Sequence, residues 1–209
     1  MNRKQVGILL FENVEVLDFC GPFEVFSVVR LDEGKRRDEP SPFNILLIAE
    51  TKQPVIAAGG MRVLPDFDLD DCPALDLLVV PGGWGTRKEM NNKRLLRWIA
   101  ERSGEVEILS SVCTGALLLG KAGLLDGKRA TTHHRSLEWM QELFPEVIVE
   151  KQLHFVEDGA LFTSAGISAG IDMALKVVSR CFGETVARAT AKHMEYPFPE
   201  SNERRITLG

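Results

Sequence analysis

The sequence predicts an α/β fold in which a mostly parallel sheet is sandwiched by helices. Short apolar, β-prone segments alternate with segments of helical periodicity along most of the 209 residues. Several predicted strands, such as Leu77–Val80, are apolar throughout, which is typical of strands buried on both faces. Because no repeat, low-complexity tract or linker interrupts the pattern, we expect one domain, residues 1–209.

Each element follows from a local pattern. Segment 21–30 places Phe23, Phe26 and Val29 at helical spacing, and a charged loop precedes the β-prone segment 43–48. A hairpin is predicted to turn at Ala58–Gly60, where glycines permit a tight turn. The predicted order is strand 5–10, helix 21–30, strand 43–48, the hairpin, strand 77–80, helix 88–102, strand 106–109, helix 116–121, a short strand around 129, helix 136–143, strands 147–149 and 155–163, and helices 171–182 and 185–193.

Composition excludes several classes of function. The formal net charge is -5, and no segment is dense in Lys or Arg, so we expect neither nucleic acid nor an anionic membrane as a partner. The apolar run 6–11 is too short for a secretory signal or a membrane span, which predicts a cytoplasmic protein. The four cysteines lack metal-ligand spacing, so free thiols and no metal or other cofactor are expected.

One of these cysteines lies in a pattern that favours chemistry. Ser111-x-Cys113-x-Gly115 joins a predicted strand to a predicted helix and resembles a nucleophile elbow, where small neighbours allow a sharp turn. The start of the following helix is expected to lower the pKa of the Cys113 thiol from about 8.5. The alternative is that Cys113 only packs the joint between strand and helix.

Two backbone amides could stabilise an oxyanion beside this cysteine. Gly83 follows the neighbouring strand 77–80, and Thr114 follows Cys113 itself. We therefore expect the Gly83 and Thr114 amides to form an oxyanion hole. The alternative is that Gly83 is needed only for the backbone conformation of its turn.

Three further side chains could move a proton. His133 is the predicted base or orienting group, although the residues alone do not distinguish it from His134. Glu15 and Asp18 lie in the first predicted loop, and Asp18 is the candidate proton donor or acceptor. Asp18 could instead cap the helix that follows.

Five short motifs, spread over nearly the whole chain, point to a family. They are 17–22 (LDFCGP), 80–83 (VPGG), 111–115 (SVCTG), 130–133 (ATTH) and 165–172 (AGISAGID). Together they resemble the ThiJ/PfpI superfamily, within the class I glutamine-amidotransferase-like group. They look closest to the isocyanide hydratase branch and to the ligand domains of AraC-type regulators.

This resemblance implies a flavodoxin-like fold and a homodimer with its active site near the interface. It implies that Cys113 is the nucleophile, that Asp18 is the acid contacting it, and that Gly83 and Thr114 supply oxyanion amides. His133 matches a histidine found near the cysteine in some members. The peptidases of the family have histidine directly after the cysteine, where this chain has Thr114, so peptidase activity is not expected.

The predicted function is cysteine-dependent hydration or hydrolysis of a small electrophile, of which conversion of an isocyanide to an N-formamide is the concrete form. Two alternatives stay open: a redox-sensing or ligand-sensing protein without turnover, and a glyoxalase-like or deglycase-like enzyme. An AraC-type regulator would need a further DNA-binding domain after Gly209.

Overall fold

A seven-stranded sheet forms the centre of the computed structural model, which describes residues 3–207. The four terminal residues that complete the predicted domain 1–209 lie outside this range. The strands are β1 (Lys4–Leu9), β2 (Phe43–Ala49), β3 (Val55–Ile56), β4 (Arg62–Val63), β5 (Phe67–Asp68), β6 (Leu77–Val80), β7 (Ile108–Val112), β8 (Arg129–Ala130), β9 (Ile148–Val149), β10 (Phe155–Asp158) and β11 (Leu161–Ser164).

The order of strands in the central sheet is β10-β11-β7-β6-β1-β2-β5, and only the β10–β11 pair is antiparallel. From β1 the chain runs to one side through β2 and β5, then returns to the other side through β6, β7 and β11. The order of strands therefore reverses between β1 and β6. In α/β sheets, ligands bind at the carboxyl ends of the strands beside such a reversal.

Helices cover both faces of this sheet, as the burial of every residue in β6, β7 and β11 requires. One group that packs together is α1 (Val16–Val28), α6 (Ala169–Phe182) and α7 (Glu184–His193). A second group is α2 (Thr86–Glu89), α3 (Lys93–Ser103) and α4 (Gly115–Lys121), and α5 (Leu137–Leu143) packs beside β9. The predicted mostly parallel sheet flanked by helices is thus confirmed.

Two predicted elements are each divided into two. The expected strand 155–163 is a hairpin, because Gly159 has φ of 65° and reverses the chain between β10 and β11. The expected helix 88–102 is α2 followed by α3, because the Asn92 side chain accepts a hydrogen bond from the Leu95 amide and starts a new helix. The predicted hairpin at Ala58–Gly60 is present between β3 and β4.

Two of the differences between predicted and observed element boundaries bear on function. Helix α1 begins at Val16, so Asp18 lies in its first turn and not in a loop before residue 21. Strand β7 extends to Val112, so Ser110 and Ser111 are buried strand residues and Cys113 follows the strand directly. Within residues 3–207, no helix combines the length and the apolarity needed to cross a membrane.

Candidate active site

The site forms where the carboxyl ends of β1, β6 and β7 meet. Segment 10–15 follows β1, and it is tied to the loop after β6 by an antiparallel bridge between Val14 and Gly83. The Glu15 amide donates to the Gly82 carbonyl at 2.9 Å, which fixes the start of α1 against the same loop. Cys113 follows β7 in the adjacent position. The segments that carry Asp18, Gly83 and Cys113 are therefore in contact.

Cys113 occupies a strained turn between β7 and α4. Its φ is 56°, in the left-handed region that a residue with a side chain rarely adopts. Hydrogen bonds hold the turn: the Cys113 amide donates to the Ser164 and Ala165 carbonyls, both at 3.2 Å, and the Thr132 hydroxyl donates to the Cys113 carbonyl at 2.7 Å. Cys113 thus sits at a sharp strand-to-helix turn, which is the backbone arrangement of a nucleophile elbow.

Asp18 is fully buried beside this turn. Its Oδ2 accepts a hydrogen bond from the Gly82 amide at 3.0 Å, whereas Oδ1 has no hydrogen-bond partner of ordinary geometry among residues 3–207. Burial raises the pKa of Asp18 to about 8, and the nearby charge of Glu15 acts in the same direction, although the Gly82 and Cys113 contacts oppose it. The Asp18 carboxyl is therefore mostly protonated at neutral pH.

The expected low pKa of Cys113 is wrong. Burial raises the pKa of the Cys113 thiol, and the charge of Asp18 raises it further. The Thr114 amide and hydroxyl lower the pKa of the thiol, but they do not offset the loss of solvent around a side chain that is 6% exposed. Proximity to the start of a helix lowers a thiol pKa only when solvation of the thiolate is otherwise adequate. The thiol is protonated at rest.

The two expected oxyanion donors differ in availability. The Gly83 amide donates to Thr114 Oγ1 at 3.0 Å, so it is already occupied by a side chain. The Thr114 amide interacts with the Cys113 sulfur and lowers the pKa of its thiol. Thr114 Oγ1 also lies 3.2 Å from Thr86 Oγ1. The Thr114 hydroxyl therefore links the loop after β6 to the elbow, and this arrangement lacks a pair of free amides.

His133 lines the same cavity as Cys113, but the structure shows no hydrogen bond between them. Nδ1 of His133 accepts the Arg135 amide at 3.3 Å, so the neutral ring carries its proton on Nε2. Burial lowers the pKa of His133 to about 4, and the charges of His134, Arg135, Arg204 and Arg87 add to this effect. His133 is thus a neutral hydrogen-bond donor at physiological pH, whereas His134 does not line the cavity.

The cavity above the thiol, called here the cysteine cavity, has a volume of about 420 Å³. Its lining includes five residues that the sequence analysis did not select: Trp84, Arg87, Arg135, Ser136 and Ile167. The first four lie within four positions of Gly83 or His133, and Ile167 lies inside the motif 165–172. Proximity in sequence to these residues was therefore a usable signal. Among residues 3–207, no three His, Cys, Asp or Glu side chains cluster closely enough to hold a metal ion.

Comparison with known proteins is consistent with this geometry. The model of the DJ-1/PfpI family matches residues 4–180 of the chain. The chain belongs to the DJ-1/PfpI family. The matched range includes Asp18, Gly83, Cys113, Thr114 and His133. The family predicted from the five motifs is therefore confirmed.

The relatives of this DJ-1/PfpI protein include an enzyme and transcriptional regulators. It is 36% identical to isonitrile hydratase of Pseudomonas putida over 92% of this chain and 78% of that protein. It is 28% identical to the transcriptional regulator GbdR of Pseudomonas aeruginosa over 99% of this chain. The chain spans only about half, 55%, of that regulator.

Solved structures show the same fold. A ThiJ/PfpI family protein from Pseudomonas syringae superimposes with a TM-score of 0.82 and 29% identity, covering 97% of this chain and 79% of that one. An AraC family transcriptional regulator from Pseudomonas putida superimposes with a TM-score of 0.76 and 21% identity, over 91% of this chain and 99% of that one. The second likeness concerns the fold alone.

Proposed function

We propose that this DJ-1/PfpI protein hydrates isocyanides to N-formamides, with Cys113 as the nucleophile and Asp18 as the proton carrier. The observation that carries the proposal is the contact between the buried, protonated carboxyl of Asp18 and the thiol of Cys113, which lines the cysteine cavity. The identity of 36% to isonitrile hydratase, isonitrile being another word for isocyanide, supports the choice of substrate.

The first step transfers protons without creating a buried charge. The Cys113 sulfur forms a bond to the terminal carbon of the isocyanide, and that carbon receives the Asp18 proton. Asp18 in turn takes the thiol proton, so the product of the step is a neutral thioimidate, R–N=CH–S–Cys113. Because burial raises the pKa of both groups, an exchange that leaves each of them uncharged fits this site better than a free thiolate does.

The second step releases the product. Water adds to the thioimidate carbon, and its proton reaches the nitrogen through Asp18. The carbon–sulfur bond then breaks, the thiol recovers its proton, and R–NH–CHO leaves. In both steps Oδ1 of Asp18 is the oxygen free for exchange, since Oδ2 accepts the Gly82 amide. His133 donates a hydrogen bond from Nε2 to the ligand and does not act as a base.

The regulator relatives favour a second candidate function, which is binding of a small molecule without turnover. Their similarity covers nearly the whole of this chain, so the cysteine cavity could serve as a ligand pocket alone. A redox sensor has less support. Sensor cysteines are exposed and have a low pKa, whereas Cys113 is 6% exposed and its thiol pKa is raised.

The test is to incubate the purified protein with phenyl isocyanide in water enriched in oxygen-18 and to detect N-phenylformamide by mass spectrometry. We expect labelled formamide from the wild type and none above background from Cys113→Ser. Cys181→Ser is the matched control, because Cys181 is another free thiol but does not line the cavity. This variant should keep wild-type turnover.

Other outcomes would replace the proposal. Binding of phenyl isocyanide or its formamide without turnover by the wild type would favour the sensor. Conversion of methylglyoxal, with no action on isocyanides, would favour the glyoxalase-like alternative. Equal formamide production by wild type and Cys113→Ser would show that the Cys113 thiol is not required for hydration.

We also propose a homodimer, as the family resemblance implies. The resemblance places the interface near the active site, which makes residues 18–23 the candidate segment, but Asp18, Phe19 and Pro22 are already buried within one chain. Leu17, just before this segment, and Phe23 at its end are exposed apolar side chains, at 37% and 36% exposure. Sedimentation should give a dimer at micromolar concentration, and a monomer there would contradict the proposal.

A further inference from the structure

We propose that the substrate carries a carboxylate on its substituent and that Arg87 and Arg135 bind this carboxylate in the outer part of the cysteine cavity. The inference rests on the proposed isocyanide hydration and narrows its substrate class. Both arginines line the cavity, and neither forms an ion pair within residues 3–207.

Arg87 is held in place while part of its guanidinium stays free. The group lies 4.5 Å from the centre of the Trp84 ring and 5.4 Å from that of Trp139, both within cation–π range. Within residues 3–207 only Nη1 makes hydrogen bonds, to the Gly83 carbonyl at 3.4 Å and to Thr86 Oγ1 at 3.3 Å. Nε and Nη2 form one edge of the guanidinium, and this edge matches the two oxygens of a carboxylate.

Arg135 supplies the second charge. Among the described residues its side chain makes no hydrogen bond, and the residue is exposed to solvent. Besides burial, the charges of Arg87, Arg135 and Arg204 lower the pKa of His133, so these three positive charges lie near this wall of the cavity. Glu15 is the carboxylate that also lines the cavity, and it forms no ion pair with either arginine.

The arrangement separates two parts of a substrate. Cys113 is 6% exposed and forms the base of the cavity, whereas Trp84 is 74% exposed and Arg135 is exposed as well. An isocyano group that reaches the sulfur therefore leaves its substituent among Trp84, Arg87 and Arg135. The aromatic ring of Trp84 and the two guanidinium groups suit an apolar body that ends in a carboxylate.

The test compares 4-isocyanobenzoate with its methyl ester, which differ mainly in charge. Wild type should hydrate the carboxylate with a kcat/KM at least about tenfold higher, because charge-assisted hydrogen bonds stabilise the bound anion. The difference should lie in KM, since the carboxylate is remote from the reacting carbon, and it should shrink at high salt. Arg87→Gln and Arg135→Gln should each reduce the ratio of kcat/KM for the carboxylate to kcat/KM for the ester several-fold.

Arg62→Gln is the matched control, because Arg62 is an exposed arginine that does not line the cavity. If the ester and the carboxylate are hydrated equally well, or if Arg62→Gln changes the preference as much as Arg87→Gln does, the inference is wrong.

A failure of the proposed isocyanide hydration can be distinguished from a failure of the proposed carboxylate subsite. Should neither isocyanide be hydrated, binding of 4-formamidobenzoate and of its methyl ester is measured by calorimetry. Tighter binding of the carboxylate by wild type, reduced in Arg87→Gln and Arg135→Gln, would support the carboxylate subsite even though hydration had failed. Equal binding of the two compounds would overturn the subsite.

Discussion

Asp18 Oδ2 accepts a hydrogen bond from the Gly82 amide at 3.0 Å, so the backbone after β6 fixes the orientation of the buried carboxyl. A side chain at position 82 would prevent this, because a Cβ there would lie 2.9 Å from Asp18 Oδ2 and 2.5 Å from the Thr114 nitrogen. The glycine therefore allows the acid, the elbow and the loop to meet. The contact also leaves Oδ1 for proton exchange with Cys113.

The first prediction is that Asp18→Asn lowers turnover of any accepted isocyanide by about 10²-fold or more, as expected for loss of a general acid. Asn keeps the size of the side chain, but its amide does not give up a proton at neutral pH. Steady-state kinetics measure the change. Glu15→Gln is the control, since Glu15 lines the cavity without contacting the thiol, and it should retain most of the activity. Unchanged turnover in Asp18→Asn would refute the proton-carrier role.

The second prediction concerns the dependence of the rate on pH. Because the protonated form of Asp18 is the active one, kcat/KM should be constant below pH 7 and fall as pH rises through about 8, the raised pKa of Asp18. The profile should show no transition between pH 6 and 7, because the pKa of His133 is lowered to about 4. A rate that increases through pH 6.5 would instead indicate a histidine base.

The third prediction links the same pKa to stability. The pKa of Asp18 is raised from an ordinary value of about 3.9 to about 8 in the folded protein. Between these values the folded state binds more protons than the unfolded state, so the free energy of unfolding falls as pH rises through this window. The Asn side chain of Asp18→Asn does not ionise, so the free energy of unfolding of this variant does not fall for this reason.

Urea denaturation between pH 5 and 8 should therefore show Asp18→Asn gaining stability relative to wild type as pH rises. A difference between the two proteins that stays constant over this range would mean that Asp18 ionises normally in the folded state. The experiment is informative even if no substrate is known, because it needs no turnover.

The fourth prediction is that His133→Gln raises KM several-fold and leaves the shape of the pH profile unchanged. The neutral ring offers Nε2 as a donor to the ligand, and it does not transfer a proton. His134→Gln is the matched control, because the two rings are 4.3 Å apart but His134 does not line the cavity. A loss of kcat as large as that of Asp18→Asn would show that His133 takes part in proton transfer.

The sequence was sufficient for the fold class and for the segments that meet at the candidate site. Apolar runs predict the strands, and the turn at 111–115 predicts the elbow, because both depend on residues that are neighbours in the chain. The charge states were not predictable in this way. The raised pKa of the Cys113 thiol depends on burial by residues distant in sequence, and the local signal of a helix start pointed in the opposite direction.

Contacts between residues distant in sequence also explain two other differences between the predicted and the observed site. Asp18 was assigned to a loop because the apolar residues at helical spacing begin after it, whereas contacts with the loop after β6 start α1 at Val16. The Gly83 amide was expected to be free, but the Thr114 hydroxyl, 31 positions away in sequence, accepts its hydrogen bond. Contacts of this kind follow from the assembled sheet and not from a local pattern.

The last prediction tests the elbow through Gly115. A Cβ at this position would lie 2.0 Å from the Val80 carbonyl oxygen and 2.9 Å from that of Pro81. Both atoms belong to the backbone around the end of β6, in the centre of the sheet, so they cannot move aside as a flexible side chain would. Gly115→Ala should therefore displace the start of α4 and destabilise the protein by about 1–3 kcal/mol or more.

Gly104→Ala is the matched control for Gly115→Ala. Gly104 has φ of -79°, and a Cβ there would meet nothing nearer than the Glu101 carbonyl at 3.6 Å. Alanine at 104 should be neutral or slightly stabilising, because it reduces the entropy of the unfolded chain. Denaturation curves and the turnover of phenyl isocyanide are measured for both variants. Because Cys113 lies two residues before Gly115, turnover by Gly115→Ala should fall even at temperatures where the variant is fully folded. Equal stability and equal turnover in the two variants would show that the close approach of α4 to β6 is not required for the elbow.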